Sequence, residues 1–170
     1  MIHPLVKIIT VDGFYTIEQA TTLVAATFNL QYTPNEFGSQ VDNFNMLAPD
    51  FSETISAIIG ADLVADEDSG VFRLPQNFIH FEGFDSTNEW VFVVALQQST
   101  FNVFEHKSGA VTALQGHAHN YRDLFEWDLK INYVLEPGQG VLFRPWLFHS
   151  FNSGQIQVFR LREKGKQDEN

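Results

Sequence analysis

The stretch INYVLEPGQGVLFRPWLFHSFNSGQIQVFRLRE, residues 131–163, decides how the rest of the chain is read. An apolar strand runs into the turn pair Pro137-Gly138, and a second strand delivers His149. After an Asn152-Ser153-Gly154 turn, a third strand carries Arg160 and Arg162. Imidazole is the commonest metal ligand, and guanidinium is well suited to grip a carboxylate through two parallel hydrogen bonds. Placed on adjacent antiparallel strands, His149 and Arg160 would serve one pocket.

The run Pro137-Gly138-x-Gly140-x-Leu142-Phe143-x-Pro145, followed by His149 and then by Arg160 after a short hairpin, resembles the C-terminal half of the Fe(II)- and 2-oxoglutarate-dependent oxygenases. The resemblance implies a double-stranded β-helix, or jelly roll. It also implies iron held by a His-x-Asp/Glu pair with a distal histidine, and a basic residue further on that binds the cosubstrate's distal carboxylate. On this chain the pair is His80-Phe81-Glu82, 69 residues before the distal His149 (149 − 80), and the basic residue is Arg160, with Arg162 beside it. The likeness covers residues 71–162, and the first seventy residues only loosely.

The residues can be weighed on their own terms. Side chains two apart share a strand face, so His80 and Glu82 project together while Ile79 and Phe81 face the other way. A nitrogen and a carboxylate from one strand, with a second histidine from another, give three ligands on one face and leave three positions open, the 2-His-1-carboxylate arrangement of non-haem iron. A His-x-Glu pair also arises by chance on a polar sheet face. Glu82 stands where aspartate is commoner in the family; its extra methylene requires the carboxylate to fold back, and Asp85 is the nearest substitute. Arg160 and Arg162 share a face with Ile156 and Val158, where a charge is costly unless paired. One of them should therefore meet an anion, either a ligand carboxylate or a structural Asp or Glu, and Arg160 is the better placed relative to His149.

Other histidines carry less. His106-Lys107-Ser108-Gly109 ends a strand at a turn and resembles a turn in a subset of phage-type and marine oxygenase-like proteins. His117-Ala118-His119 imitates a first cupin motif but lacks its glutamate, and 30 residues to His149 (149 − 119) leave cupin strands too little room. These two read as loop residues facing substrate, with metal binding as the lesser alternative.

Composition bounds the rest. With 170 residues the chain suits one domain, residues 1–170, with a real core. Seventeen Phe and 18% charged residues fit a packed β-rich interior. A net charge of −11 argues against nucleic acid and anionic membranes, which attract basic surfaces. There is no cysteine for a disulfide framework, no signal peptide and no apolar run long enough to span a bilayer, so a cytoplasmic protein is expected. Exposed aromatics would fit a homodimer.

Along the chain, residues 6–11 read as a strand and Thr16-Ile17-Glu18-Gln19 as a capping box, opening a helix over 17–28 with Ala20, Leu23, Val24 and Phe28 on its apolar face. Residues 31–49 show no period and read as irregular. Asp50 and Glu53 open a second helix that Gly60 stops. The run 66–70 reads as a solvated turn, not a calcium loop. Strands follow at 71–74, 78–82, 89–96 and 101–105, then a loop over 115–122, then a half-buried strand in which Trp127, Leu129, Ile131, Tyr133 and Leu135 alternate. This is a mainly β jelly roll with two N-terminal helices.

The activity the resemblance implies uses Fe(II) and oxidises 2-oxoglutarate to succinate and carbon dioxide while hydroxylating a C–H bond of a small molecule or protein side chain. No catalytic residue beyond the metal ligands is expected, and the loops 31–49 and 106–123 would choose the substrate. The alternative is a cupin-like or oxygenase-like protein that binds metal or ligand without catalysis. A structural jelly roll would leave His149 and Arg160 without work.

Overall fold

The computed structural model describes residues 6–28, 30, 33–35, 38–42, 51–65, 70–73, 78–84 and 87–165. Strand β1 (Ile8–Val11) precedes helix α1 (Ile17–Thr27), and β2 (Thr33–Asn35) and β3 (Gly38–Asp42) precede α2 (Phe51–Ile59). The remaining strands are β4 (Leu63–Ala65), β5 (Gly70–Arg73), β6 (Glu89–Ala95), β7 (Ser99–His106), β8 (Trp127–Leu135), β9 (Gly140–Phe143), β10 (His149–Asn152) and β11 (Ile156–Glu163). They form an eight-stranded sheet, β1-β9-β6-β11-β5-β3-β2 with β4 also on β11, and a three-stranded sheet, β10-β7-β8. All pairings are antiparallel. This is the double-stranded β-helix.

Strand periodicity builds its two apolar layers. Val91, Val93, Val141, Phe143, Ile156 and Val158 point from the large sheet toward Phe101, Val103 and Phe151 of the small one. The intervening Trp90, Phe92, Leu142 and Phe159 meet Ala20 and Leu23 of α1 and Ile55 of α2. Strand β6 is apolar almost throughout because both its faces are covered.

The Thr16–Gln19 capping box forms with both reciprocal hydrogen bonds. Phe28, however, is 64% exposed: its backbone stays helical, but at 100° per residue its side chain falls to the flank of the buried stripe of Ala20, Leu23 and Thr27. Asp50 and residues 66–69 lie outside the described residues. The region read as irregular contains β2 and β3, a hairpin at the sheet edge where Pro34 costs no ladder bond. Strand β4 was also not expected. Strand β8 is less buried than its alternation suggests: Leu129 is 55% and Tyr133 36% exposed, because β8 edges the small sheet beside a bulge at Val103/Phe104.

The turn after β10 differs from the expected hairpin. Ser153 (φ +56°) and Gly154 (φ +74°) both adopt left-handed backbone, and a Cβ at 154 would strike the Gln98 carbonyl. The turn does not close a hairpin, since β10 pairs with β7 and β11 with β6. His149 and Arg160 thus face one another from different sheets, across the interior.

Candidate metal centre

Residues 78–82, expected as a strand, form a single β-bridge in which His80 pairs antiparallel with His149. Each donates its backbone N–H to the other's carbonyl at 2.9 Å, and the Glu82 N–H donates to the Pro145 carbonyl at 2.8 Å. Proline at 145 and the turn around it stop a longer ladder. The extended alternation survives: His80 and Glu82 turn inward, while Ile79 and Phe81 join Trp146 and Phe148 on the outer face of the small sheet.

Each imidazole is oriented by its own backbone. Nδ1 of His149 lies 2.7 Å from the Leu147 carbonyl, and Nδ1 of His80 lies 3.0 Å from the Phe78 carbonyl. With those nitrogens donating, both Nε2 atoms present lone pairs inward, the arrangement in which histidines bind metals. Glu82 Oε1 stands 3.4 Å from Nε2 of His80 and 3.5 Å from Nε2 of His149. His149 is fully buried against the rings of Phe101 and Phe143, and its Nε2 has no hydrogen-bond partner. A buried polar atom left in that state is costly, and a cation would satisfy it.

One ligand atom from each residue lies within 4.8 Å of the others. Ligands about 2.1 Å from one ion at right angles would lie about 3 Å apart, so a small inward movement suffices. Two neutral nitrogens and one carboxylate on one face suit a divalent transition metal. Asp85, the substitute carboxylate, lies outside the described residues.

Burial pushes the Glu82 carboxyl up, but contacts from His149 and His80 and the charge of Arg160 outweigh it and hold the group well below the ordinary carboxylate range. Burial, reinforced by His80, pushes the His149 imidazole below its ordinary value despite Glu82.

Arg160 projects inward on the face of Ile156 and Val158, and its Nη1 donates to Glu82 Oε2 at 3.0 Å. The anion that the sequence argument required is therefore present within the chain. Arg162 lies two residues further along the same strand, where it is exposed.

Arg144, the unspecified residue of the Phe143-x-Pro145 motif, is a further anchor of this region. Its guanidinium lies 3.6 Å from the Trp90 ring centre and donates to the carbonyls of Thr87 (3.1 Å) and Glu89 (3.0 Å), fastening the chain that follows Glu82. An Arg-Pro pair inside an otherwise apolar motif was the available signal.

His106, His117 and His119 lie apart from the centre. His119 stacks on His106 with centroids 4.0 Å apart and packs edge-on against Trp127 and Phe148, and His117 lies 5.9 Å from the Phe81 ring. All three attach to the outer aromatic layer, and among the described residues neither His117 nor His119 joins the three candidate ligands. The parity that turns His149 inward turns Phe148 and its partners outward.

No known protein family matches the chain, and neither does any curated protein. Solved structures do. The non-heme alpha-ketoglutarate-dependent epimerase SnoN from nogalamycin biosynthesis aligns with a TM-score of 0.65 at 12% identity, over 94% of this chain and 79% of its own. HygX from Streptomyces hygroscopicus, with nickel and 2-oxoglutarate bound, aligns with a TM-score of 0.62 at 10% identity, over 94% and 84%. AviO1 from Streptomyces viridochromogenes Tue57 follows at 0.55 and 11%, over 88% and 83%. The chain thus has the double-stranded β-helix fold of Fe/2-oxoglutarate-dependent enzymes. The likeness of the 106–109 turn to phage-type and marine proteins gains nothing from these comparisons.

Proposed function

We propose that residues 1–170 form one jelly-roll domain acting in the cytoplasm as an Fe(II)- and 2-oxoglutarate-dependent oxygenase. The observation that carries this reading is the convergence of His80 Nε2, His149 Nε2 and Glu82 Oε1, with both Nδ1 atoms tied to backbone carbonyls. His80, Glu82 and His149 would hold Fe(II) on one face. Iron and 2-oxoglutarate together would supply oxidation by dioxygen, releasing succinate and carbon dioxide while a substrate C–H bond is oxidised.

The chain's own residues bind and orient. Arg160 faces the ligands from β11 and is the cation for the distal carboxylate of 2-oxoglutarate, with Arg162 toward the exposed end of the strand. Phe101 and Phe143 keep water from the back of His149. A small-molecule substrate is favoured over a protein side chain, since HygX binds hygromycin B and SnoN a nogalamycin in structures of the same fold. Hydroxylation is the expected outcome, with epimerisation as in SnoN beside it. No helix among the described residues is long and apolar enough to cross a membrane. Leu124 and Phe125, 65% and 85% exposed, are surface that a second copy of the chain would cover.

The test is succinate release by purified protein with Fe(II), ascorbate and 2-oxoglutarate, compared with His149→Ala. Wild type producing more succinate than the variant supports the oxygenase. Metal uptake without succinate favours the binding-protein reading.

A further inference from the structure

We propose that Arg160 is a positioning residue for the candidate ligand Glu82, fixing which carboxylate oxygen faces the metal; this rests on the metal-site reading above. Glutamate has one more rotatable bond than aspartate, so its carboxylate can swing or offer both oxygens to one ion. Two oxygens would occupy two coordination positions and leave too few for a chelating cosubstrate and oxygen. Arg160 removes that freedom: Nη1 holds Oε2 at 3.0 Å, while Oε1 remains directed at the two Nε2 atoms, 3.4 and 3.5 Å away. The two oxygens of one carboxylate are thereby assigned separate tasks.

The geometry explains how a glutamate serves where an aspartate is commoner. Glu82 reaches past the histidines to the opposite sheet, where β11 presents Arg160 between Phe159 and Leu161, both of which point to the helical layer. An aspartate would stop short of that guanidinium. Guanidinium carries five N–H donors in a planar fork, so a bond to Glu82 does not exhaust its capacity for a cosubstrate carboxylate. A cation near a metal is repulsive, but Arg160 and Glu82 together are neutral, and the oxygen end of the pair faces the ion.

The experiment is titration with Mn(II) alone, without cosubstrate, on wild type, Arg160→Met, Arg160→Lys, Glu82→Asp and Glu82→Asp/Arg160→Met. Losing a partner that orients a ligand commonly costs about 10–100-fold in metal affinity. Arg160→Met should show a loss of that order, Arg160→Lys should recover most of it, and Arg160→Met should cost less than about threefold in the Glu82→Asp background, where the pair is already broken. Thermal unfolding in chelator checks that each variant folds. Folded Arg160→Met binding Mn(II) as tightly as wild type, or more tightly, would overturn the proposal, as would an equal loss in both backgrounds. Wild type failing to bind Mn(II) would instead remove the metal-site reading itself.

Discussion

His80 and His149 exchange both backbone hydrogen bonds at 2.9 Å, and this single pairing brings their rings to a centroid separation of 4.3 Å. Residues opposed in this way across antiparallel chains project side chains to the same face. A distance within the candidate site is thus set by backbone, independently of what occupies it.

The two histidines should differ in their cost to the fold. His149→Ala leaves a void beside Phe101 and Phe143 and strips the Leu147 carbonyl of its donor, a loss of about 2–4 kcal/mol. His80 is partly exposed, so His80→Ala should cost about 1 kcal/mol. Urea unfolding in the presence of chelator measures both. Equal losses would mean that the segment around His80 is packed as tightly as β10.

Glu82→Gln keeps the shape of the side chain and removes its charge. Mn(II) affinity should fall by more than the roughly 100-fold that loss of an outer partner can cause, read by calorimetric titration. Retention of affinity within tenfold would show that the ligating carboxylate lies elsewhere.

Replacing the outer-layer histidines should leave the centre alone. His117→Ala and His119→Ala are expected to bind Mn(II) within about twofold of wild type, as neither histidine is grouped with the candidate ligands and His117 meets only the outward-facing ring of Phe81. Phe148→Ala, by contrast, removes the fully buried ring against which Phe81, Trp127 and Tyr121 pack, and should cost about 3–5 kcal/mol. Metal titration checks the first expectation and denaturant unfolding the second.

Tyr15 makes stability fall at high pH. Its buried hydroxyl donates to Gln157 Oε1 at 2.8 Å, and burial raises its pKa far above the ordinary phenol value. The folded state therefore keeps the proton after the unfolded chain begins to lose it. The contribution is whole below about pH 10 and is lost as pH rises from there toward the folded-state pKa. Tyr15→Phe should flatten this slope in melting temperature between about pH 9 and 11, at the cost of a hydrogen bond at every pH. An unchanged slope would place the titrating group elsewhere.

How much of this could be read beforehand depended on burial. Strand β6, apolar on both faces, and α1, with its Thr16–Gln19 cap, were legible because local pattern and tertiary demand coincide. The β2–β3 hairpin and three-residue β4 were not, since segments that short hold no full period and owe their pairing to sheet neighbours. His80, Glu82 and His149 could be paired by parity and family resemblance. The bond from Arg160 to Glu82 could not, because it depends on how far two sheets stand apart. Nor could the stacking of His119 on His106, which follows from the folding of loop 107–126 against the outer face.

His80 and Glu82 ride together on the short segment 78–84, which reaches the sandwich through backbone bonds to His149 and Pro145, whereas His149 belongs to a strand laddered along its length with β7. Segments with few such bonds open at lower free energy than the sheets they border. If His80 and Glu82 serve as ligands, displacement of this one segment would withdraw both at once and leave only His149, so the two would be lost together rather than one by one.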